Sequence, residues 1–271
     1  MTDREPQFLD VATGGDSTQR IAYIADPPAT ASGIGLFWMP GYKSDMASTK
    51  ASALAAFAHA KGYGCTRFDY SGHGCSAGRF DDGTIGGWLA QAEVVFRQVA
   101  IESQGGRQIV VGSSMGGYLA LLLLRRLVRE SPAEAACIMA LVLIAPAWDM
   151  TEELMWKQFP EDARRQLLEM GVFLQPSEYG EPYAITRALI EEGRNHLLAR
   201  APFDPGRPVV ILQGGRDDAV PLAHARELMG FLQGGLARMI EVPDGDHRLS
   251  RPEDLALLFA TVEELAEGCR A

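Results

Sequence analysis

Short apolar runs alternating with longer helical patterns constrain this chain more than any other feature. Residues 33–39 (GIGLFWM), 108–112 and 138–144 lack the polar alternation of a half-exposed strand, and 64–68, 208–212 and 238–242 continue the series. A strand that is apolar on both sides must be covered on both sides, as strands of parallel sheets are. Between these runs, residues 46–61, 85–102, 115–128, 221–232 and 252–267 read as helices. The clearest spacing is that of Trp88, Leu89, Ala92, Val95, Phe96 and Val99. The alternation predicts an α/β fold, a mostly parallel central sheet with helices on both faces.

Two segments break the rhythm. Residues 8–11 and 20–25, joined by Ala-Thr-Gly-Gly-Asp-Ser, predict an antiparallel hairpin at one edge of the sheet. Residues 147–207 are too many for a connecting loop and too apolar for a disordered linker. Within them 151–170 and 186–199 look helical and 171–183 does not. The expected organisation is one domain over residues 1–271, with a small lid inserted at 147–207.

Composition narrows the function classes. At 47% apolar and 22% charged residues the chain is not a disordered one. A net charge of −10 and a pI near 5.0 argue against nucleic acid or an anionic membrane surface as the main partner. Cys65, Cys75, Cys137 and Cys269 form no C-x-x-C pair, so neither structural zinc nor a disulfide framework is expected. No basic segment followed by an apolar stretch opens the chain, and the apolar runs 118–124 and 135–145 fall short of the roughly 18–20 residues that span a bilayer. A cytoplasmic protein without stable membrane insertion, metal or cofactor is the expectation.

Ligands of open α/β sheets bind beyond the carboxyl ends of the strands, so the chemistry is sought there. Gly112-Ser113-Ser114-Met115-Gly116 has the pattern G-x-S-x-G, and so has Gly74-Cys75-Ser76-Ala77-Gly78. Context separates them. The first follows the β-branched Ile109-Val110-Val111 and enters an apolar helix, the strand–turn–helix setting that forces a serine into an exposed, strained turn. The second lies in a glycine-rich loop with polar sequence after it. Ser114 is therefore the candidate nucleophile, and Ser76 a loop serine.

A serine hydroxyl needs a base held by a carboxylate, and in this fold the chain order is Ser, Asp or Glu, His. Asp217 and Asp218 follow the strand at 208–212; Asp217 falls earlier in the turn and is preferred, while Asp218 is nearer the next helix. His247 lies just past the last strand and is the candidate base. His224 reads as a partly exposed helix residue, and His59 and His196 as structural. The oxyanion formed on acyl attack needs preorganised donors. The expected ones are the backbone N–H of Met115 and that of Tyr42, with Gly41 and Lys43 as alternatives to Tyr42. In the lid, Trp156, Phe159 and Phe173, together with Met155, Leu174, Tyr179 and Tyr183, either line an apolar acyl pocket or pack the lid onto the core.

These residues together resemble the α/β-hydrolase superfamily along most of the chain. Four runs, Gly41-Tyr42-Lys43-Ser44-Asp45-Met46, Arg67-Phe68-Asp69-Tyr70-Ser71-Gly72-His73-Gly74, Gly112-Ser113-Ser114-Met115-Gly116-Gly117 and Gly245-Asp246-His247-Arg248-Leu249-Ser250, are similar to one subgroup of it. That subgroup comprises mitochondrial palmitoyl-protein thioesterases that also act as acyl-glucuronide esterases, with bacterial relatives. Where many members have His-Gly at the oxyanion turn, this chain has Pro40-Gly41. The resemblance implies a structural role for His73 and hydrolysis of carboxylic esters or thioesters through an acyl-enzyme, on a small-molecule or acylated substrate. Mitochondrial members carry a transit peptide, whereas here the predicted strand at 8–11 begins close behind Met1, which implies a cytoplasmic, bacterial setting.

Two other readings stay open on sequence alone. A serine peptidase of the prolyl-oligopeptidase type shares the triad order, although residues 147–207 cannot hold a propeller. A catalytically silent hydrolase fold that binds a small ligand is the other.

Overall fold

The computed structural model describes residues 4–14, 17–30, 33–102, 106–175 and 183–268. The chain opens with the hairpin β1 (Gln7–Gly14) and β2 (Ser17–Asp26), followed by β3 (Gly35–Met39), α1 (Thr49–Lys61), β4 (Gly64–Phe68), α2 (Ile85–Val95), β5 (Gln108–Ser113) and α3 (Met115–Glu130). It continues through α4 (Pro132–Ala135), β6 (Ile138–Ile144), α5 (Glu161–Met170), β7 (Val172–Gln175), β8 (Tyr183–Thr186) and α6 (Arg187–Gly193). It ends with β9 (Val209–Gly214), α7 (Leu222–Phe231), β10 (Ala237–Val242) and α8 (Pro252–Gly268). Eight strands form one sheet in the order β1-β2-β4-β3-β5-β6-β9-β10. From β4 to β10 all neighbours are parallel, while β1 pairs antiparallel with β2 and β2 with β4.

The period of two along a strand divides the core in two. Leu36 and Trp38 of β3 join Ile109, Val111, Val142 and Val210 on the face covered by α1 and α8. Their neighbours Phe37 and Met39 join Val110, Leu141, Leu143 and Ile211 on the face covered by α2, α3 and α7. Every residue of β3, β5 and β9 is buried. That double coverage is why these strands read as unbroken apolar runs.

Two of the predicted helices are interrupted. The helix predicted over 85–102 is α-helical to Val95 and then passes into a turn of π-helix, Phe96–Ile101, which keeps Phe96, Val99 and Ala100 inside the core. The helix predicted over 151–170 is a π-helical turn at Thr151–Trp156 and a separate α5, parted at Pro160, whose extended ψ of 160° cannot continue a helix.

Between β6 and β9 the chain leaves the sheet. Here Phe159, Ala163, Leu167, Ile185 and Ile190 form a small core of their own, against which Trp156 and Phe173 pack. Strands β7 and β8 form an antiparallel pair apart from the main sheet. The sequence reading had no strand there, because β7 is only half-buried at best and lacks an apolar alternation. Tyr179 lies outside the described residues, as does the Tyr183 side chain.

This excursion is tied at its base. The buried Asp149 carboxylate accepts the N–H of Leu198 (2.6 Å) and of Ala199 (3.0 Å), joining the segment's start to its end. The Tyr118 hydroxyl donates to the His196 carbonyl at 2.9 Å, anchoring the same end on α3.

Candidate active site

The turn at Ser114 is strained, and its neighbours show why the strain is tolerated. Ser114 adopts φ 55° and ψ −119°, a conformation that costs a non-glycine residue on the order of 1–3 kcal/mol. Its N–H donates to the Ile144 carbonyl (2.8 Å), and its own carbonyl accepts from Gly117 (2.9 Å) and Ala147 (3.1 Å). The turn is thus held by β6 and by the first turn of α3. A Cβ on Gly112 would overlap the Gly116 carbonyl, and one on Gly116 would overlap the Met39 carbonyl. The strand, the helix and the turn after β3 meet too closely there for any side chain.

Gly116→Ala tests that packing. Alanine gains about 1 kcal/mol of helix propensity, whereas forcing a methyl into close-packed backbone costs about 3 kcal/mol, so overlap wins. The variant is expected to unfold about 2 kcal/mol more easily in urea and to lose activity as Met39 and Pro40 are displaced. Unchanged stability would mean that strand and helix part freely.

Two further loops bring in the other groups. Asp217 follows β9 and is 5% exposed, while Asp218 beside it is exposed. Asp217 Oδ1 accepts the N–H of Ala219 (3.0 Å) and of Val220 (2.7 Å), and Oδ2 accepts from Gln213 Nε2 (3.2 Å). His247 follows β10, the parallel neighbour of β9. Gly214 and Gly215 let the two loops run backbone against backbone, with the Arg216 N–H donating to the Gly245 carbonyl at 2.9 Å. His247 Nδ1 lies 2.8 Å from Asp217 Oδ2, and Nε2 lies 3.1 Å from Ser114 Oγ. A carboxylate can only accept, so Nδ1 carries the proton and Nε2 presents its lone pair to the serine. On the far side Lys50 of α1 donates to the Arg248 carbonyl, and burial pulls its amine down to about 8.

The turn after β3 lies against the serine: a Cβ on Gly41 would stand 3.1 Å from the Ser113 carbonyl and 3.3 Å from Ser114 Cβ. The Met115 N–H belongs to the first turn of α3, where helices leave donors without intrahelical partners. The Lys43 N–H is already given to His73 Nε2 (3.2 Å).

The other sequence candidates lie elsewhere. Ser76 Oγ accepts the Ala22 N–H (2.8 Å) and donates to the Asp69 carbonyl (2.6 Å), stapling its loop to the edge hairpin. His224 is a correction: it is only 8% exposed, not at the surface. It stacks on Trp148 with centroids 4.5 Å apart, its Nε2 is 2.9 Å from the Trp148 carbonyl, and burial lowers its pKa. Trp148 lies in the turn after β6, 76 residues away in the chain, so helix periodicity could not foresee the partner. Phe159 and Phe173 meet edge to face at 5.4 Å, and the Trp156 ring contacts the guanidinium groups of Arg164 (5.5 Å) and Arg194 (5.0 Å). Met155 packs against both this small core and the main one. Sequence reasoning missed Asp69, whose carboxylate accepts the N–H of Met46 and of Cys75, both at 2.7 Å. That contact ties the loop leading into α1 to the loop after β4. Among the described residues no cluster of three or more His, Cys, Asp or Glu forms that would hold a metal, and no helix is long and apolar enough to cross a membrane.

The strained turn at Ser114, His247 and Asp217 thus meet beyond the carboxyl ends of parallel strands. The chain belongs to the alpha/beta hydrolase family, whose sequence pattern matches residues 31–257, and is an esterase- or thioesterase-type hydrolase. It is 32% identical over 235 residues to the human palmitoyl-protein thioesterase ABHD10, mitochondrial, covering 86% of this chain and 73% of that protein. A crystal structure from Agrobacterium vitis S4 superposes with a TM-score of 0.91 at 39% identity, covering 97% of this chain and 98% of the other. Alpha/beta hydrolase domain-containing protein 10 from mouse superposes with a TM-score of 0.81 at 28% identity, covering 98% and 99%.

Proposed function

We propose that this chain hydrolyses carboxylic esters or thioesters through an acyl-enzyme formed on Ser114. The observation that carries the reading is the pair of hydrogen bonds, 3.1 and 2.8 Å, that joins Ser114, His247 and Asp217 from three separate loops. Ser114 Oγ attacks the acyl carbonyl while His247 Nε2 takes its proton, and Asp217 orients the imidazole and stabilises its cationic form. The oxyanion is received by the N–H groups of Met115 and Tyr42; the engagement of the Lys43 N–H with His73 favours Tyr42 over Lys43. Collapse expels the alcohol or thiol, which takes its proton from His247. Water then releases the acid by the same steps in reverse.

Residues 147–207 act as the lid in this reading, a role supported by their separate core and their tied base. Phe159 belongs to that core and Trp156 and Phe173 pack against it, and in this reading the acyl chain runs beside them and Met155. The substrate is an acylated small molecule or protein. The names of the mammalian relatives support a thioester and a long acyl chain. The compartment in this reading is the cytoplasm, whereas those relatives are named as mitochondrial.

A chain-length series of nitrophenyl esters and acyl-CoA thioesters tests the substrate class. With each buried methylene contributing about 0.8 kcal/mol, an acyl groove should raise kcat/KM about fourfold per added carbon until it is full. A rate that falls steadily from the acetyl ester would remove the long-chain assignment. Hydrolysis of aminoacyl amides but not of esters would overturn the esterase reading in favour of a peptidase.

A further inference from the structure

His73 is in neither the nucleophile's chain of hydrogen bonds nor the lid, yet its state is fixed from both sides. Its Nδ1 lies 3.1 Å from the Ser71 carbonyl, and the Lys43 N–H donates to its Nε2 at 3.2 Å. A carbonyl only accepts and an amide N–H only donates, so the ring carries its proton on Nδ1 and a lone pair on Nε2. The residue is 4% exposed, and that burial lowers its pKa, favouring the same neutral form. Tyr70, Phe80 and Trp88 surround the ring edge-on at 5.8, 5.0 and 5.3 Å. Ser71 is itself pinned to α2: its N–H donates to Gln91 Oε1 (2.8 Å), and its carbonyl accepts from Trp88 Nε1 (3.2 Å).

The other end of this relay is the turn beside the nucleophile. The Ser44 N–H donates to the Gly41 carbonyl at 3.1 Å, which closes a four-residue turn with Tyr42 and Lys43 at its centre. Lys43 has φ 56°, a left-handed conformation that costs a residue with a Cβ roughly 1–2 kcal/mol. The Tyr42 ring packs edge to face on Phe80 (4.8 Å) and on Trp88 of α2 (6.0 Å), while on the Lys43–Asp45 side an open hollow separates the turn from the Gly72–Gly74 loop. On that side the hydrogen bond from the Lys43 N–H to His73 Nε2 crosses to the loop after β4 and fixes the peptide next to the Tyr42 N–H.

We infer that His73 is a positioning residue of this hydrolase: its imidazole holds the turn so that the neighbouring Tyr42 N–H faces the acyl oxygen. The inference rests on the reading of Ser114 as nucleophile and Tyr42 as oxyanion donor. Protonating Nε2 would set two donors against each other and release the turn. Lys43 and Asp45 are the charged groups acting on the ring, and Tyr70 is its titratable neighbour; Phe80, and Trp88 and Gln91 from α2, carry no charge.

The test measures kcat, KM and the pH profile on a short nitrophenyl ester, with thermal melts as the folding control. His73→Leu offers no acceptor and is expected to lower kcat about 10–100-fold, the effect of a misplaced oxyanion donor, with KM changed less than about twofold. His73→Gln places an amide oxygen within reach of the Lys43 N–H and does not titrate; its kcat should recover to within about fivefold of wild type. On the acid side the wild-type rate should fall more steeply than that of the Gln variant, by the one further proton that His73 takes up. Wild-type kcat in His73→Leu, or a Gln variant as impaired as the Leu variant, would overturn the inference. If His73→Leu does not fold, the Gln variant decides: near-normal kcat with an acid limb less steep than wild type supports positioning, and an equally steep limb or a kcat loss beyond about tenfold overturns it. Ser114→Ala separates the two levels. Turnover that survives it removes the reading of the site, whereas lost turnover beside an unaffected His73→Leu removes only the role of His73.

Discussion

Ser114→Ala is expected to lower kcat for ester hydrolysis by about 10⁶-fold while leaving the fold intact. The hydroxyl makes no capping bond to α3, and the backbone bonds that hold the turn, to Ile144, Gly117 and Ala147, are all retained by alanine. The strained φ of 55° is borne by serine and alanine alike. The change in unfolding free energy should therefore stay within about 1 kcal/mol. Any remaining rate would come from binding and oxyanion stabilisation without a nucleophile. Single-turnover kinetics on a nitrophenyl ester, with fluorophosphonate labelling in parallel, measure the first consequence, and urea unfolding measures the second. Labelling that persists in the variant would place the nucleophile on another residue.

Asp217→Asn should cost about 10⁴-fold in kcat, for a reason that lies in the orientation of the new amide. Oδ1 of Asp217 accepts two backbone N–H groups, from Ala219 and Val220, so the asparagine oxygen must face them. Its NH2 is then turned toward His247 Nδ1, where the aspartate presented an acceptor. The imidazole answers by presenting its Nδ1 lone pair and moving its proton to Nε2. A protonated Nε2 cannot take the proton of Ser114. The same NH2 also faces Gln213 Nε2, donor against donor, which adds about 1–3 kcal/mol of destabilisation. KM should hardly move. A variant with near-normal kcat would show that His247 is oriented by its loop alone.

Much of this site is legible in the sequence because its signals are local. The β-branched run before Ser114 and the glycines at 112 and 116 express one tight turn, and that turn needs those residues wherever it stands. The strands that β6 and β5 became are recognisable because both faces of each are covered. The hairpin of β7 and β8 is not, since half-exposed strands of four residues carry no periodic signal. His224 and His73 were misread or set aside for another reason. Each is defined by a partner far along the chain, the Trp148 ring and carbonyl for one and the Lys43 amide for the other.

The sequence by itself determined the alternation of strand and helix, the strained serine, and the order in which serine, aspartate and histidine follow one another. Periodicity and turn chemistry act over a few residues, so they survive being read one segment at a time. The tertiary structure alone decided that β9 and β10 lie side by side, and so that Asp217 rather than the exposed Asp218 stands 2.8 Å from His247. It also decided that a histidine after β4 accepts an amide from the turn after β3. Such contacts depend on how the strands are ordered in the sheet. That order is set by burying both faces at once, a condition no single stretch of sequence contains.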